Sequence, residues 1–324
     1  MAHAIRIHTT GGPEVLTLDE VAVGDPGPGE ARVRHTAVGV NYIDTYHRSG
    51  LYKLALPSGI GSEAAGVVVA VGSGVDWVNA GDRVAYAGGP VGAYSTERVM
   101  PADKLVKLPE GIDERTAATL MLKGLTVQYL FRQTYRLQGG ETILFHAAAG
   151  GVGLIACQWA RALGVTVIGT VGSDDKAALA RSMGCAHTVV YTREDFVERV
   201  KAITGGKGVP VVYDGVGKDT FPASLDCLSL RGMFVTYGNA SGAIPPVDLL
   251  VLAQKGSLYV TRPTLVSYAN SRAATQAMAD ELFALVLSGK IKSEARQTFA
   301  LKDASAAHRA LESRGTTGAT VLLP

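Results

Sequence analysis

The chain has 324 residues, more than one hydrophobic core usually organises, and 47% are hydrophobic against 19% charged, which excludes disorder and favours two packed domains. Lys and Arg total 31 against 29 for Asp and Glu, so no charge excess marks a nucleic-acid or membrane footprint. Three widely spaced cysteines, Cys157, Cys185 and Cys227, exclude a disulfide framework and point to a reducing compartment, the cytoplasm.

From the start of the chain, Met1 to Thr10 mixes His3, Arg6 and His8 with single apolar residues and does not read as a signal peptide. The first 120 or so residues carry short runs, 31–38, 65–71, 83–86 and 95–99, separated by turn signals such as Pro26-Gly27-Pro28-Gly29 and Gly72-Ser73-Gly74. That spacing predicts a mainly β domain. From about Thr116 the texture changes to β-branched runs alternating with amphipathic stretches. Strands are expected at 142–146, 165–171, 187–191, 210–214, 233–237 and 257–261, and helices at 152–163, 176–183 and 194–204. Such βαβ wiring predicts an α/β fold with a doubly wound parallel sheet. A strong helix over 271–288 and a strand-like run over 318–324 follow. The tail is assigned to the first domain, giving boundaries of 1–121 with 267–324, and 122–266 for the domain inserted between them.

Ile143-Leu144-Phe145-His146 followed by Ala147-Ala148-Ala149-Gly150-Gly151-Val152-Gly153 is a buried strand, a small-residue turn and an apolar helix. That context turns a glycine-rich run into a dinucleotide fingerprint. Gly151 and Val152 would lie against the pyrophosphate at the positive end of the helix, and Gly153 would let helix and strand pack closely. NAD selection normally needs an acidic residue about 20 positions further on, at the tip of the second strand. The chain offers Gly172 and Ser173 there, with Lys176 one turn later. A hydroxyl and a cation suit a 2'-phosphate, so NADPH is expected. The alternative is that Lys176 only solvates a helix face and Asp174 or Asp175 binds the ribose.

Residues 1–120 contain no cysteine, and no histidine pair has ligand spacing, so no metal is expected. Gly61-Ser62-Glu63 places Ser where a metal-ligating His could stand.

These marks together resemble the zinc-free NADPH:quinone reductases of the medium-chain dehydrogenase/reductase superfamily, the group that includes zeta-crystallin. The resemblance rests on Gly11 to Leu16, Gly39 to Tyr46, Arg48 to Tyr52, Gly61 to Gly66, Lys123-Gly124-Leu125-Thr126, Ala147 to Gly153 and Thr261-Arg262-Pro263, in that order along nearly the whole chain. It implies a Rossmann NADPH-binding domain and a GroES-like catalytic domain, with the cofactor held between them. On this resemblance Asn41, Tyr42, Ile43, Asp44, Thr45 and Tyr46 lie against the nicotinamide end, with Thr126 and Tyr129 beside them. Gly151 and Val152 match the pyrophosphate contacts. Gly172, Ser173, Lys176 and Tyr191 match the 2'-phosphate pocket. Gly238, Asn239, Pro263, Thr264 and Leu265 match the loops closing on the nicotinamide half.

Tyr46, Tyr52 and Arg262 would line the acceptor cleft as catalytic residues. The two tyrosines either donate to a quinone oxygen or only shape the cleft, Arg262 either attracts an electron-rich acceptor or forms a plain surface ion pair, and Asp44 reads rather as a turn-capping carboxylate. A departure is Asp214-Gly215-Val216-Gly217, where relatives often carry Ser after the Asp. The expected activity is metal-free quinone reduction by NADPH. Rival readings are an NADPH-dependent enone or enal reductase, and an NADPH-binding protein with an RNA-binding or structural role. A homodimer paired along the strand at 257–261 is the expected assembly.

Overall fold

Two kinds of apolar patterning give two kinds of sheet. The computed structural model describes residues 1–324. In chain order they form β1 (Ala2–Ile7), β2 (Leu16–Val21), β3 (Glu30–Val40), α1 (Tyr42–Ser49), β4 (Ser58–Gly59), β5 (Glu63–Val71), β6 (Arg83–Ala87), β7 (Glu97–Pro101) and β8 (Val106–Lys107). Next come α2 (Glu114–Tyr129), β9 (Thr142–Phe145), α3 (Gly151–Ala162), β10 (Thr166–Val171), α4 (Asp174–Ser182), β11 (His187–Val190), α5 (Phe196–Thr204), β12 (Val209–Asp214), α6 (Phe221–Leu225) and β13 (Leu228–Thr236). The remainder is α7 (Leu250–Gln254), β14 (Tyr259–Thr261), α8 (Leu265–Tyr268), α9 (Arg272–Leu287), β15 (Ala295–Ala300), α10 (Ala304–Glu312) and β16 (Ala319–Leu323). Residues 1–125, 265–288 and 293–324 make one unit, and residues 126–264 with 289–292 make the other. The short segment 289–292 goes with the second unit.

In the second unit the sheet order is β11-β10-β9-β12-β13-β14, every pairing parallel. This is the Rossmann order. Its central strands are covered on both faces, which is why Ile143, Leu144 and Phe145 are all apolar and all fully buried. Strand order reverses at β9, flanked by β10 and β12, and ligands in open α/β sheets bind beyond the strand ends at such a point.

The first unit holds a three-stranded antiparallel sheet, β2-β1-β4, and a seven-stranded one, β15-β16-β3-β5-β6-β8, with β7 also pairing β3. Its core gathers Ile5, Ile7, Val33, Ile60, Tyr86 and Met100, side chains whose burial contributes about 1.5–3 kcal/mol each for the larger ones. Sequence reading left β1, β2, β15 and α10 unassigned. The buried face of α10 consists of Ala304, Ala307 and His308, too small or too polar to raise a helical hydrophobic signal.

Candidate functional site

Strand β9 delivers the chain into the turn 146–150 and onto α3. Ala147 takes a left-handed conformation, φ 55°, and the Gly150 N–H closes back on its carbonyl at 2.9 Å. The N-terminus of α3 has no side-chain cap and no acidic residue in its first turn, unlike α4, α5 and α9, which Ser173, Asp195 and Ser271 cap. Gly151 and Val152 occupy that open first turn. A Cβ on Gly153 would stand 2.4 Å from the Ala147 carbonyl oxygen and 2.6 Å from that of Ala148, so glycine alone lets helix and turn approach this closely. The arrangement fits a dinucleotide pyrophosphate.

At the end of β10, a Cβ on Gly172 would meet the Tyr191 hydroxyl at 2.9 Å. Gly172 is therefore a platform for Tyr191, which remains 45% exposed. Ser173 Oγ accepts the Lys176 N–H at 3.3 Å as the cap of α4, which leaves the hydroxyl hydrogen for an anion. Asp174 is engaged by Arg193 through two bonds of 2.7 and 2.5 Å, and that guanidinium draws its carboxyl below the usual range. Sequence reasoning passed over Arg193, a second cation beside Ser173 and only two residues past Tyr191.

Beyond β13, a Cβ on Gly238 would collide with the Gly215 carbonyl oxygen at 2.4 Å, so two strand-end loops touch here. Gly215 packs so closely that a Cβ on it would lie 3.0 Å from the Tyr237 ring. Arg262 follows β14 and reaches Thr236 Oγ1 and the Gly238 carbonyl, both at 3.4 Å. With its amide turned to satisfy both neighbours, Asn239 donates to Gly238 O at 3.0 Å and accepts from Arg262 Nη2 at 3.1 Å. Arg262 thus staples the two loops together. Beside it opens a largely apolar cavity of about 290 Å³ walled by Phe221, Phe234, Ile244 and Val260. Pro263 is buried, Thr264 exposed, and Leu265 opens α8. Thr126 and Tyr129, on the last turns of α2, are both buried.

In the first unit, residues 41–46 start α1. Asn41 is its N-cap, and the Asn41 N–H donates to Asp44 Oδ2 at 2.9 Å. Gly50, φ 82°, ends the helix in the left-handed conformation that favours glycine. Asp44 is fully buried, so its carboxylate is a cap and not an exposed contact. Burial raises its pKa to about 7 despite the donors Asn41 N–H and Tyr94 O–H. Thr45 turns its hydroxyl to the Tyr42 carbonyl at 2.7 Å. Tyr46 is buried, its ring edge-on to the half-buried Tyr52 with centroids 5.3 Å apart, while Tyr42 and Ile43 are half-buried. Tyr42 is pushed up by burial and by Glu312, against the opposing charge of Arg314, another residue the sequence did not single out.

Behind α1 runs a buried polar chain. The Tyr94 hydroxyl donates to Asp44 Oδ2 at 2.9 Å and meets His308 Nε2 at 3.0 Å. His308 Nδ1 faces Arg48 Nη1 at 3.1 Å, and Arg48 binds Glu312 through bonds of 2.9 and 2.7 Å. Arginine can only donate, so Nδ1 accepts and the ring hydrogen sits on Nε2, pointing at Tyr94. Burial and Arg48 hold His308 neutral, with a pKa lowered to about 3. On the other side of Asn41, its Nδ2 donates to Glu63 Oε2 at 2.8 Å. Glu63 also accepts Lys123 Nζ at 3.0 Å and the Leu122 N–H at 2.8 Å. No group of three or more His, Cys, Asp or Glu side chains is arranged to hold a metal ion.

Two family models match the chain: one described as "Zinc-binding dehydrogenase" over residues 151–283, and one described as "Alcohol dehydrogenase GroES-like domain" over 27–110. A quinone oxidoreductase of Pseudomonas aeruginosa is 60% identical over 325 residues, covering 100% of both chains. The structure of Escherichia coli quinone oxidoreductase complexed with NADPH superposes with a TM-score of 0.98 at 53% identity, covering 99% of this chain and 100% of that one. A 2-haloacrylate reductase of Burkholderia is 49% identical over 331 residues, covering 100% of this chain and 99% of its own.

Proposed function

The chain belongs to the quinone oxidoreductase family of the medium-chain dehydrogenases/reductases, and from that premise we propose how its own residues carry out the reaction. It is an NADPH-dependent quinone reductase. The observation that supports the cofactor assignment is the end of β10, where Ser173 caps α4 at the Lys176 N–H, Tyr191 lies against Gly172, and the neighbouring Asp174 is neutralised by Arg193.

When bound, NADPH supplies the hydride that the quinone accepts. The uncapped start of α3, with Gly151 and Val152, holds the pyrophosphate. Gly172, Ser173, Lys176 and Tyr191 hold the adenosine end, and the phosphate charge is met by Lys176. In the second unit the loops carrying Gly238, Asn239, Pro263 and Thr264, with Thr126 and Tyr129, are assigned to the nicotinamide end, and in the first unit residues 41–46 and Leu265 are. Arg262 acts by fixing Gly238 and Asn239. Tyr46 and Tyr52 exclude water and present phenol hydrogens to the developing negative oxygen of the quinone. NADPH oxidation by simple quinones, with a chelator present throughout and NADH run in parallel, tests this: chelator-resistant turnover that favours NADPH supports it. A preference for NADH sinks the Ser173 and Lys176 assignment. Because a close relative reduces 2-haloacrylates, the same assay includes haloacrylates and enones, and turnover confined to them moves the chain to alkene reduction.

Two finer statements belong to the same reading. The working assembly is a homodimer joined along the edge strand β14, a reading supported by the exposed Leu230, Leu249, Tyr259 and Val260 around it. The location is the cytoplasm, which fits three buried free thiols.

A further inference from the structure

Glu63 and Lys123 are buried charges that the reaction as described leaves without a task. Glu63 is completely buried and its Lys123 partner nearly so, with 7% of the lysine side chain exposed. Burying an ion pair costs desolvation of both charges, so the pair is a poor way merely to stabilise a core. Its geometry shows what it holds instead. Glu63 Oε1 accepts the Leu122 N–H of α2, and Oε2 accepts both Lys123 Nζ and Asn41 Nδ2. Asn41 is therefore pinned twice, its side chain by Glu63 and its backbone N–H by Asp44. The backbone has been cleared for this carboxylate: a Cβ on Gly39 would stand 2.1 Å from Glu63 Oε2.

We infer that Glu63 and Lys123 are positioning residues for hydride transfer, a charge-balanced pair that fixes Asn41 and with it the first turn of α1 against the nicotinamide. The inference rests on the assignment of residues 41–46 to the nicotinamide end. Lys123 neutralises one of the two buried carboxylates and faces the other, Asp44. The remaining polar groups around Asp44 are the Asn41 N–H, Tyr94 and, behind Tyr94, His308 and Arg48. Ionised Asp44 accepts charge-assisted bonds that hold α1 most firmly, so hydride transfer runs faster on the alkaline side of its titration near pH 7. Lys123 favours that ionised form and Glu63 opposes it. The two residues therefore push the same titration in opposite directions.

The test measures the single-turnover rate of NADPH oxidation at saturating NADPH and quinone, from pH 5.5 to 9, with NADPH affinity read separately from cofactor fluorescence. Lys123→Met is expected to move the midpoint up and Glu63→Gln to move it down, each slowing hydride transfer about tenfold while affinity, set by the phosphates, changes less than about threefold. A packing role alone would lower the melting temperature without opposite displacements of the midpoint. The charge-balanced Lys123→Met/Glu63→Gln double variant covers the case in which a single variant does not fold. Its midpoint is expected near that of the parent, with the slow rate retained, because one amide oxygen cannot serve both Leu122 and Asn41. A folded double variant with the parental rate overturns the inference. Asn41→Ala separates the two levels: if it slows hydride transfer while the pair variants do not, only the positioning role fails. If it has no effect, the assignment of residues 41–46 fails too.

Discussion

Lys176 stands on the first turn of α4, its N–H bonded to the Ser173 cap. Charge-assisted bonds to phosphate are worth about 1.5–3 kcal/mol each, so Lys176→Ala should lower the preference for NADPH over NADH by about tenfold or more. The ratio of kcat/KM for the two cofactors measures it, and an unchanged ratio would assign the 2'-phosphate to other groups such as Arg193. Residues of this kind are legible in sequence because they follow a fixed turn at a fixed spacing. Glu63 and Lys123 are not, since 60 positions separate the partners of that pair, and neither are Tyr94 and His308, 214 positions apart. Asp44 was legible only in part: its role as a cap reaching back three residues to Asn41 is local and readable, but its complete burial comes from packing.

At the scale of elements, α1 is short, eight residues, and such a helix is marginal by itself. Its place is set by hydrogen bonds to β5 on one side and to Tyr94 and α10 on the other. Tyr94→Phe leaves the His308 Nε2 hydrogen without its acceptor and takes one donor from Asp44, a loss of about 1–3 kcal/mol. Urea unfolding should show that decrease at neutral pH, and the Asp44 titration should move higher because the lost donor favoured the ionised form. A midpoint unchanged in urea would mean that the hydroxyl bonds are replaced by water. The regular βα units were readable from their periodicity, as β9 through β12 attest. The helix α10 and the strand β15 were not, because alanine-rich and mixed stretches reveal a buried face only once β16 and β3 are there to cover it.

For the molecule as a whole, pH dependence follows from which buried groups stay uncharged. Burial lowers His35 to about 4, His308 to about 3, and His146 as well. The unfolded chain protonates all three below about pH 6.5, so each costs stability as pH falls through that value. Asp44 acts the other way: its raised pKa favours the native state at low pH and that advantage is lost as pH rises to about 7. His35 and His308 against Asp44 leave a net gain of about one proton on unfolding near pH 5, or roughly 1.4 kcal/mol per pH unit, shrinking towards pH 6.5, and His146 and His47, both lowered by burial, add in the same direction. Urea midpoints should climb over that range and level off near pH 7. A flat profile there would mean the histidines are charged in the native state.

On the same scale, the apolar surface around β14 should be covered by a second copy. Tyr259→Lys with Val260→Asp is expected to give monomers in sedimentation equilibrium, and an unaltered mass would place the contact elsewhere. In the first unit's large sheet, β16 lies between β15 and β3, so β3 waits for a partner translated nearly three hundred residues later, whereas every strand of the second unit is already made by Thr261. On the ribosome the middle of this protein can therefore close before its beginning does, and the nascent β3 edge is the surface that a chaperone would have to guard.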